Sequence, residues 1–168
     1  MYKPLFGAIL LTSCIYTAFG QTVTDSTMAR SPIKTLTLKQ YSDFMKGPDL
    51  LDMALPATMN HYPMPDDVLR YKKELGLSAS QVQKVKSISD YLQLKKKEIG
   101  QSVVRNEKKL DELFSTKKLN EGDITFYGNR YGLYEGEYRT SVLTACYNTY
   151  NVLTPQQTTR FWQLKNHN

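Results

Sequence analysis

Between Ala79 and about Thr116 the chain has no proline, and its only glycine is Gly100. Val82, Val85, Ser89, Leu92, Lys96, Ile99, Val103, Asn106, Leu110 and Leu113 step by alternating threes and fours along this stretch. Seven of these ten positions are apolar, which draws one narrow stripe on an α-helix. At ~1.5 Å per residue the helix is roughly 55 Å long, well beyond the ~30 Å breadth of a compact small domain. A second stripe, Ile124, Tyr127, Tyr131, Tyr134, Tyr138, Val142, Ala145, Thr149 and Val152, predicts a return helix from Ile124 to about Val152. Asn120-Glu-Gly122 makes the turn between the two, with Asp123 as the expected cap. A last helix runs from Pro155 to about Leu164.

Upstream, a short helix is expected from Thr37 to about Lys46, ended by Gly47-Pro48. Asp49 to Met64 is apolar but interrupted by Pro56 and Pro63, and reads as an ordered, packed loop. Pro65 then opens a short helix, Asp66 to Leu75, with both acids at its positive end and Gly76 as C-cap. The predicted fold is all-α, a long antiparallel helical hairpin with short flanking helices. Two long helices and a few short ones leave so long a stripe uncovered within one chain, so a homodimer is the structural expectation.

Helix starts carry their own signature. Leu77-Ser-Ala-Ser-Gln81 and Leu153-Thr-Pro-Gln-Gln157 both read Leu-[Ser/Thr]-x-x-Gln. The physics is a capping box: Ser78 or Thr154 at N-cap accepts from the new first turn, and Gln81 or Gln157 reaches back to the cap's N–H. Pro155 falls at N1, where its missing N–H costs nothing. Leu36-Thr-Leu-Lys-Gln40 is a third match, so the pattern alone means only that a helix begins.

The first residues differ from the rest. A basic start, an almost charge-free apolar run from Pro4 to Phe19, and the small-x-small end Ala18-Phe-Gly20 predict a cleaved signal peptide over 1–20. Leu11-Thr-Ser-Cys14 offers the alternative of lipidation at Cys14, which would anchor the protein to the envelope. Either way export is expected. The remaining organisation is a flexible tether over 21–35, a short helix and packed loop over 36–64, and a helical domain over 65–168.

Formal charge is +6, and +5 once Lys3 leaves with the leader. The excess lies mostly on the first long helix, at Lys84, Lys86, Lys95, Lys96, Lys97, Arg105, Lys108, Lys109, Lys117 and Lys118. Export argues against nucleic acid as the partner, and a solvated helix face is the default. Acidic or unfolded polypeptide, or an anionic membrane surface, are the functional alternatives.

Nothing in the chain assembles catalytic chemistry. The only histidines are His61 and His167, and no Gly-rich phosphate loop, Ser-His-Asp set or carboxylate pair is visible, so no enzyme, metal or cofactor is expected. Gly128, Gly132 and Gly136 recur every four residues inside a helix, each costing about 1 kcal/mol relative to Ala. Close packing of another element is the preferred reading, with a helix that bends around a partner as the alternative. For the tyrosine stripe, core packing with hydroxyls at the edge is preferred over an adaptable binding surface. Met53, Met59 and Met64 read as gap fillers. Cys146, alone once Cys14 departs, reads as a small buried residue, with a bridge between two chains as the alternative.

Two Leu-[Ser/Thr]-x-x-Gln boxes spanning an exported, basic helical hairpin resemble the Spy/CpxP family of periplasmic stress proteins, a superfamily named for the LTxxQ motif. The resemblance runs from about Pro65 to the C-terminus. Asn60-His-Tyr-Pro-Met-Pro-Asp-Asp-Val-Leu69 is also similar to the Asn-x-Tyr-Pro-x-Pro segment of one branch. The resemblance implies a cradle-shaped antiparallel homodimer that holds unfolded or aggregation-prone proteins in the periplasm without ATP. The candidate client surface would combine Lys84, Lys95, Lys96, Lys97 and Arg105 with Tyr127, Tyr131, Tyr134 and Tyr138. Other members sense heavy metals through histidines on these helices, which implies the alternative of a sensor or regulator of envelope or heavy-metal stress. This chain has Asp67, Val142 and Cys146 where such histidines would be sought, a departure that weighs against metal sensing.

Overall fold

Residues 31–46 and 53–166 are described by a computed structural model of the chain. The expected leader, Cys14, most of the tether, Gly47-Pro48 and His167 lie outside the described residues. Among those described, the fold is all-α, with α1 (Leu38–Lys46), α2 (Leu55–Met59), α3 (Pro65–Arg70), α4 (Ala79–Ser115), α5 (Glu121–Val152) and α6 (Pro155–Asn166). Gln81 Nε2 donates to the Val152 carbonyl (2.9 Å), and Asn106 Nδ2 to the Tyr127 carbonyl (3.1 Å). One bond joins the start of α4 to the end of α5 and the other does the reverse, so the two helices run antiparallel.

The α4 stripe is buried from Val85 to Asn106, including Ser89, Leu92, Lys96, Ile99 and Val103. Most of its cover comes from within the chain, which corrects the expectation that only a second copy could supply it. Three apolar clusters lie along the hairpin. At the base, Val68, Leu75, Val85, Leu153 and Phe161 join α3, α4 and α6. At the waist, Ala54 meets Leu92, Ile99, Tyr138, Val142, Ala145 and Cys146. Higher up, Ile33, Leu36 and Phe44 close over Val103. α1 comes close to α4 at Gly100, where a Cβ would stand 2.0 Å from the Phe44 carbonyl oxygen. That glycine, rather than the repeat in α5, is where a neighbouring backbone comes close.

Three boundaries differ from expectation. The apolar stretch read as a loop contains α2, because Pro56 sits at the helix start, where no N–H is needed. α3 stops at Arg70, and Tyr71–Gly76 forms turns that close on Gly76 at φ 60°. Asn120, not Asp123, is the N-cap of α5; Asp123 is the N3 partner of a reciprocal capping box.

Short polar links fix α3 in place. Asp66 accepts from the Ser89 hydroxyl and from Gln93 Nε2 (3.1 Å), which accounts for a buried serine on the α4 stripe. Asp67 binds Lys165 of α6 at 2.7 Å and Arg70 at 3.5 Å. Cys146 is buried and its thiol lies 3.2 Å from Met64 Sδ, a soft contact inside the waist cluster.

Candidate functional site

The two motif boxes meet at the base. Ser78 accepts from the Gln81 N–H (3.2 Å) and Gln81 Oε1 from the Ser78 N–H (3.0 Å). Thr154 and Gln157 repeat the arrangement at 3.2 and 2.9 Å. The two glutamines then pair amide to amide: Gln81 Nε2 donates to Gln157 Oε1 (2.8 Å) and Gln157 Nε2 to Gln81 Oε1 (3.2 Å). Gln81 Nε2 also reaches the Val152 carbonyl, and Gln157 Nε2 the Leu75 carbonyl (3.4 Å). One clasp therefore caps two helices and ties them to the end of α5 and to the turn that follows α3. Leu77 and Leu153 pack in the base cluster beneath it. Thr37 and Gln40 form a third box at the start of α1 (2.9 and 3.1 Å), yet Gln40 is exposed and caps only its own helix. The motif residues are structural, Pro155 included.

On the flank of the hairpin, α4 and α5 leave a trough of about 900 Å³. Ile99, Gly132 and Gly136 lie along it, with Tyr91, Lys95, Glu98 and Arg105 on the α4 side and Leu133 and Glu137 on the α5 side. A further hollow of about 390 Å³ shares Tyr91, Thr140 and Ser141 with it and extends the trough to Ser87. From Ser87 to Arg105 the length is roughly 27 Å at ~1.5 Å per residue. On α4, Tyr91, Lys95, Glu98, Ser102 and Arg105 each stand one residue before a stripe position. One residue is ~100° on a helix, so they turn to one side of the stripe while Gly100 and Val104 turn to the other, toward α1.

The glycine repeat belongs to this open side. Nothing lies within 4 Å of a Cβ added at Gly128, Gly132 or Gly136, so the close packing expected of them is absent among the described residues. Their effect is to lower the wall of the trough. Tyr91 and Leu133 are 61% and 58% exposed on its rims. Lys95 bonds Glu98 at 2.8 Å and lies over the Tyr91 ring, and the Glu98 carboxylate raises its pKa above the usual lysine range. Arg105 donates to Ser102 Oγ (2.8 Å). The trough thus offers apolar contact flanked by both signs of charge.

The nine residues expected to form one client surface separate. Lys95 and Arg105 line the trough; Lys84 and Lys97 are exposed outside it. Lys96 is 4% exposed, its ammonium 5.9 Å from the Tyr138 ring centroid, and Tyr138 is itself 4% exposed in the waist cluster. These two are core residues, which corrects their assignment to a surface. Three consecutive lysines span ~200° of helix circumference, so the middle one follows the stripe inward. Tyr131 and Tyr134 pack against the upper cluster on the α1 side. Tyr127 is half-buried beside Phe126, its ring centroid 5.0 Å away and edge-on. Burial, with help from a hydrogen bond to Glu135, pushes the Tyr131 pKa up to about 12.

The trough residues that sequence reasoning missed are Tyr91, Glu98, Leu133 and Glu137. For Tyr91 and Glu98 the signal was a second α4 row displaced one residue from the apolar stripe; Leu133 and Glu137, on α5, each follow a glycine of the repeat by one residue. Among the described residues no group of three or more His, Cys, Asp or Glu side chains is placed to hold a metal ion, and no helix is long and apolar enough to cross a membrane. No family model, curated protein or solved structure matches the chain.

Proposed function

We propose that the protein is an exported, ATP-independent holder of unfolded or aggregation-prone polypeptide in the periplasm, working as a homodimer. The trough carries this reading. It is long and open, mixes apolar contacts from Tyr91, Ile99 and Leu133 with the hydroxyls of Ser102, Thr140 and Ser141, and is edged by Lys95, Arg105, Glu98 and Glu137. An unfolded chain presents short mixed runs of apolar and charged side chains. A surface of that composition holds such runs by weak, repeated contacts without demanding one sequence. The resemblance to the Spy/CpxP family points the same way. Exposed Tyr91, Leu94 and Leu133 supply apolar surface for a second copy or for a client. Nucleic acid has no place in this reading, and a membrane enters only if Cys14 is acylated.

The test is light scattering from a reduced or heat-unfolded test protein, without nucleotide, beside a measurement of oligomeric mass. Equimolar protein is expected to delay aggregation. Tyr91→Ala with Leu133→Ser, both exposed, should weaken that delay several-fold while thermal stability stays within about 0.5 kcal/mol. A dimer that gives no delay at several-fold excess would overturn the proposal.

A further inference from the structure

A second cleft, of about 720 Å³, opens near the base of the hairpin between the α2–α3 connection, the end of α5 and α6. That volume falls within the ~300–1,000 Å³ usual for small-ligand sites. Its walls carry four aromatic rings, His61, Tyr62, Tyr150 and Trp162. Tyr62 and Tyr150 lie with ring centroids 4.5 Å apart, and His61 stands edge-on to Trp162 at 5.1 Å. Every other side chain on the wall is an amide, a threonine hydroxyl or Pro155; no Asp, Glu, Lys or Arg lines it among the described residues.

The backbone is bent to place these rings. α2 ends with the His61 N–H on the Thr58 carbonyl (3.1 Å) and the Tyr62 N–H on the Ala57 carbonyl (2.9 Å). That pattern puts the residue after the cap in the left-handed region, normally a glycine's position. At the matching position before α4 the chain has Gly76, at φ 60°. Here it has His61, at φ 65°. The His61 carbonyl accepts from Trp162 Nε1 (3.2 Å), so the strained turn orients two of the four rings together. Strain of this kind persists where surrounding structure holds it and is concentrated at binding and catalytic sites.

We infer that this cleft binds a neutral oligosaccharide. Aromatic faces take the C–H faces of sugar rings, as apolar surface with a polar edge. Amides and hydroxyls both donate and accept, as sugar hydroxyls do, whereas a proline-rich peptide, the usual occupant of an aromatic-lined groove, offers carbonyls with few N–H groups. Asn60 Nδ2 is already held by the Pro56 carbonyl (2.8 Å) and Thr159 Oγ1 donates to the Pro155 carbonyl (3.1 Å), so both keep an oxygen that can accept. Among the described residues no charged side chain lines the wall, and Lys165, whose ammonium lies over the Trp162 ring at 5.5 Å, is paired with Asp67, which selects against ionic ligands. The cleft is also far larger than an aromatic cage around one ammonium group. None of this depends on what the trough holds.

Trp162 is the chain's only tryptophan, so its emission reports on the cleft. The full chain is titrated with cellotetraose, maltotetraose and chitotetraose, and in parallel with a proline-rich peptide and tetramethylammonium, with calorimetry as a second readout. At least one sugar is expected to bind saturably, and neither of the other probes. Tyr150→Ala should weaken binding about tenfold through the lost ring contact. His61→Gly should raise the melting temperature by relieving the turn and still weaken binding several-fold. Lys117→Gly, which relieves another left-handed residue (φ 57°) far from the cleft, should raise stability and leave binding unchanged. No saturable binding of any sugar by either readout overturns the inference. Saturation by the peptide or the ammonium ion alone does the same, as does a His61→Gly protein that binds as well as the parent.

Discussion

At the base of the hairpin, Gln81 and Gln157 use every donor and acceptor of their amides on two helix caps, two carbonyls and each other. Along the trough, Gly132 and Gly136 leave open space, and Tyr91 and Leu133 stand more than half exposed. The residues with the sharper sequence pattern are thus the ones whose bonding is complete. They hold the hairpin shut. The residues that offer contact to another molecule lie on a flank whose pattern is faint, because an open surface imposes little on its side chains. A conspicuous motif therefore need not mark the surface that is left open.

The clasp is the place to break that contrast most severely. Gln81→Ala removes one cap and leaves Gln157 Nε2 and the Val152 carbonyl short of a partner in a half-buried setting. A loss of about 3 kcal/mol follows from the lost cap plus unsatisfied groups. Gln40→Ala, in a box of the same sequence pattern that stands alone, should cost only about 1 kcal/mol. Denaturant unfolding of both variants measures the difference, and a double-mutant cycle with Gln157→Ala should give a coupling of at least ~0.5 kcal/mol. Equal losses at Gln40 and Gln81 would mean that the amide pair contributes nothing beyond two ordinary caps.

Glycines sharpen the same comparison in the opposite direction. Gly100→Ala places a methyl 2.0 Å from the Phe44 carbonyl oxygen, so α1 must shift. A net loss of about 2 kcal/mol is expected from overpacking, even after the better helix propensity of alanine. Gly132→Ala and Gly136→Ala meet nothing, and each should stabilise by up to ~1 kcal/mol. Melting temperatures of the three variants decide it. Stabilisation at Gly100, or losses at the other two, would reverse the assignment of close approach and open wall.

The same residues explain what could be read from the sequence. The α4 stripe was legible because burial repeats along a helix with a period that no other element shares. Lys96 belongs both to the Lys95–Lys97 run, whose charge predicts surface, and to the apolar stripe, and the stripe position decides its burial. The glycine repeat was legible as an anomaly, but its cause was not: open space and close packing both tolerate glycine, and only the position of α1 distinguishes them. α2 was hidden by Pro56, which breaks a helix interior but suits its first turn. The Gln81–Gln157 pair joins residues 76 positions apart, a separation that no local pattern encodes.

The smallest effect expected comes from Tyr131, on the α1 side of α5, away from the trough. Burial first, and the Glu135 hydrogen bond second, hold its pKa at about 12, against ~10 for a tyrosine in an unfolded chain. As pH rises from 10 toward 12, the unfolded chain releases a proton that the folded protein keeps. Stability contributed by the protonated phenol is therefore complete below pH 10 and lost across that interval. Tyr131→Phe cannot titrate, so its melting temperature should fall less steeply over the same range and show no such divergence from the parent near neutrality. Other tyrosines and lysines titrate in both proteins, so the difference between the two pH profiles isolates this residue. Because Tyr131 is only partly buried, the difference should be modest. Parallel profiles up to pH 12 would mean that this ring is as solvated in the folded protein as in the unfolded chain, contrary to its packing against the Ile33, Leu36, Phe44 and Val103 cluster.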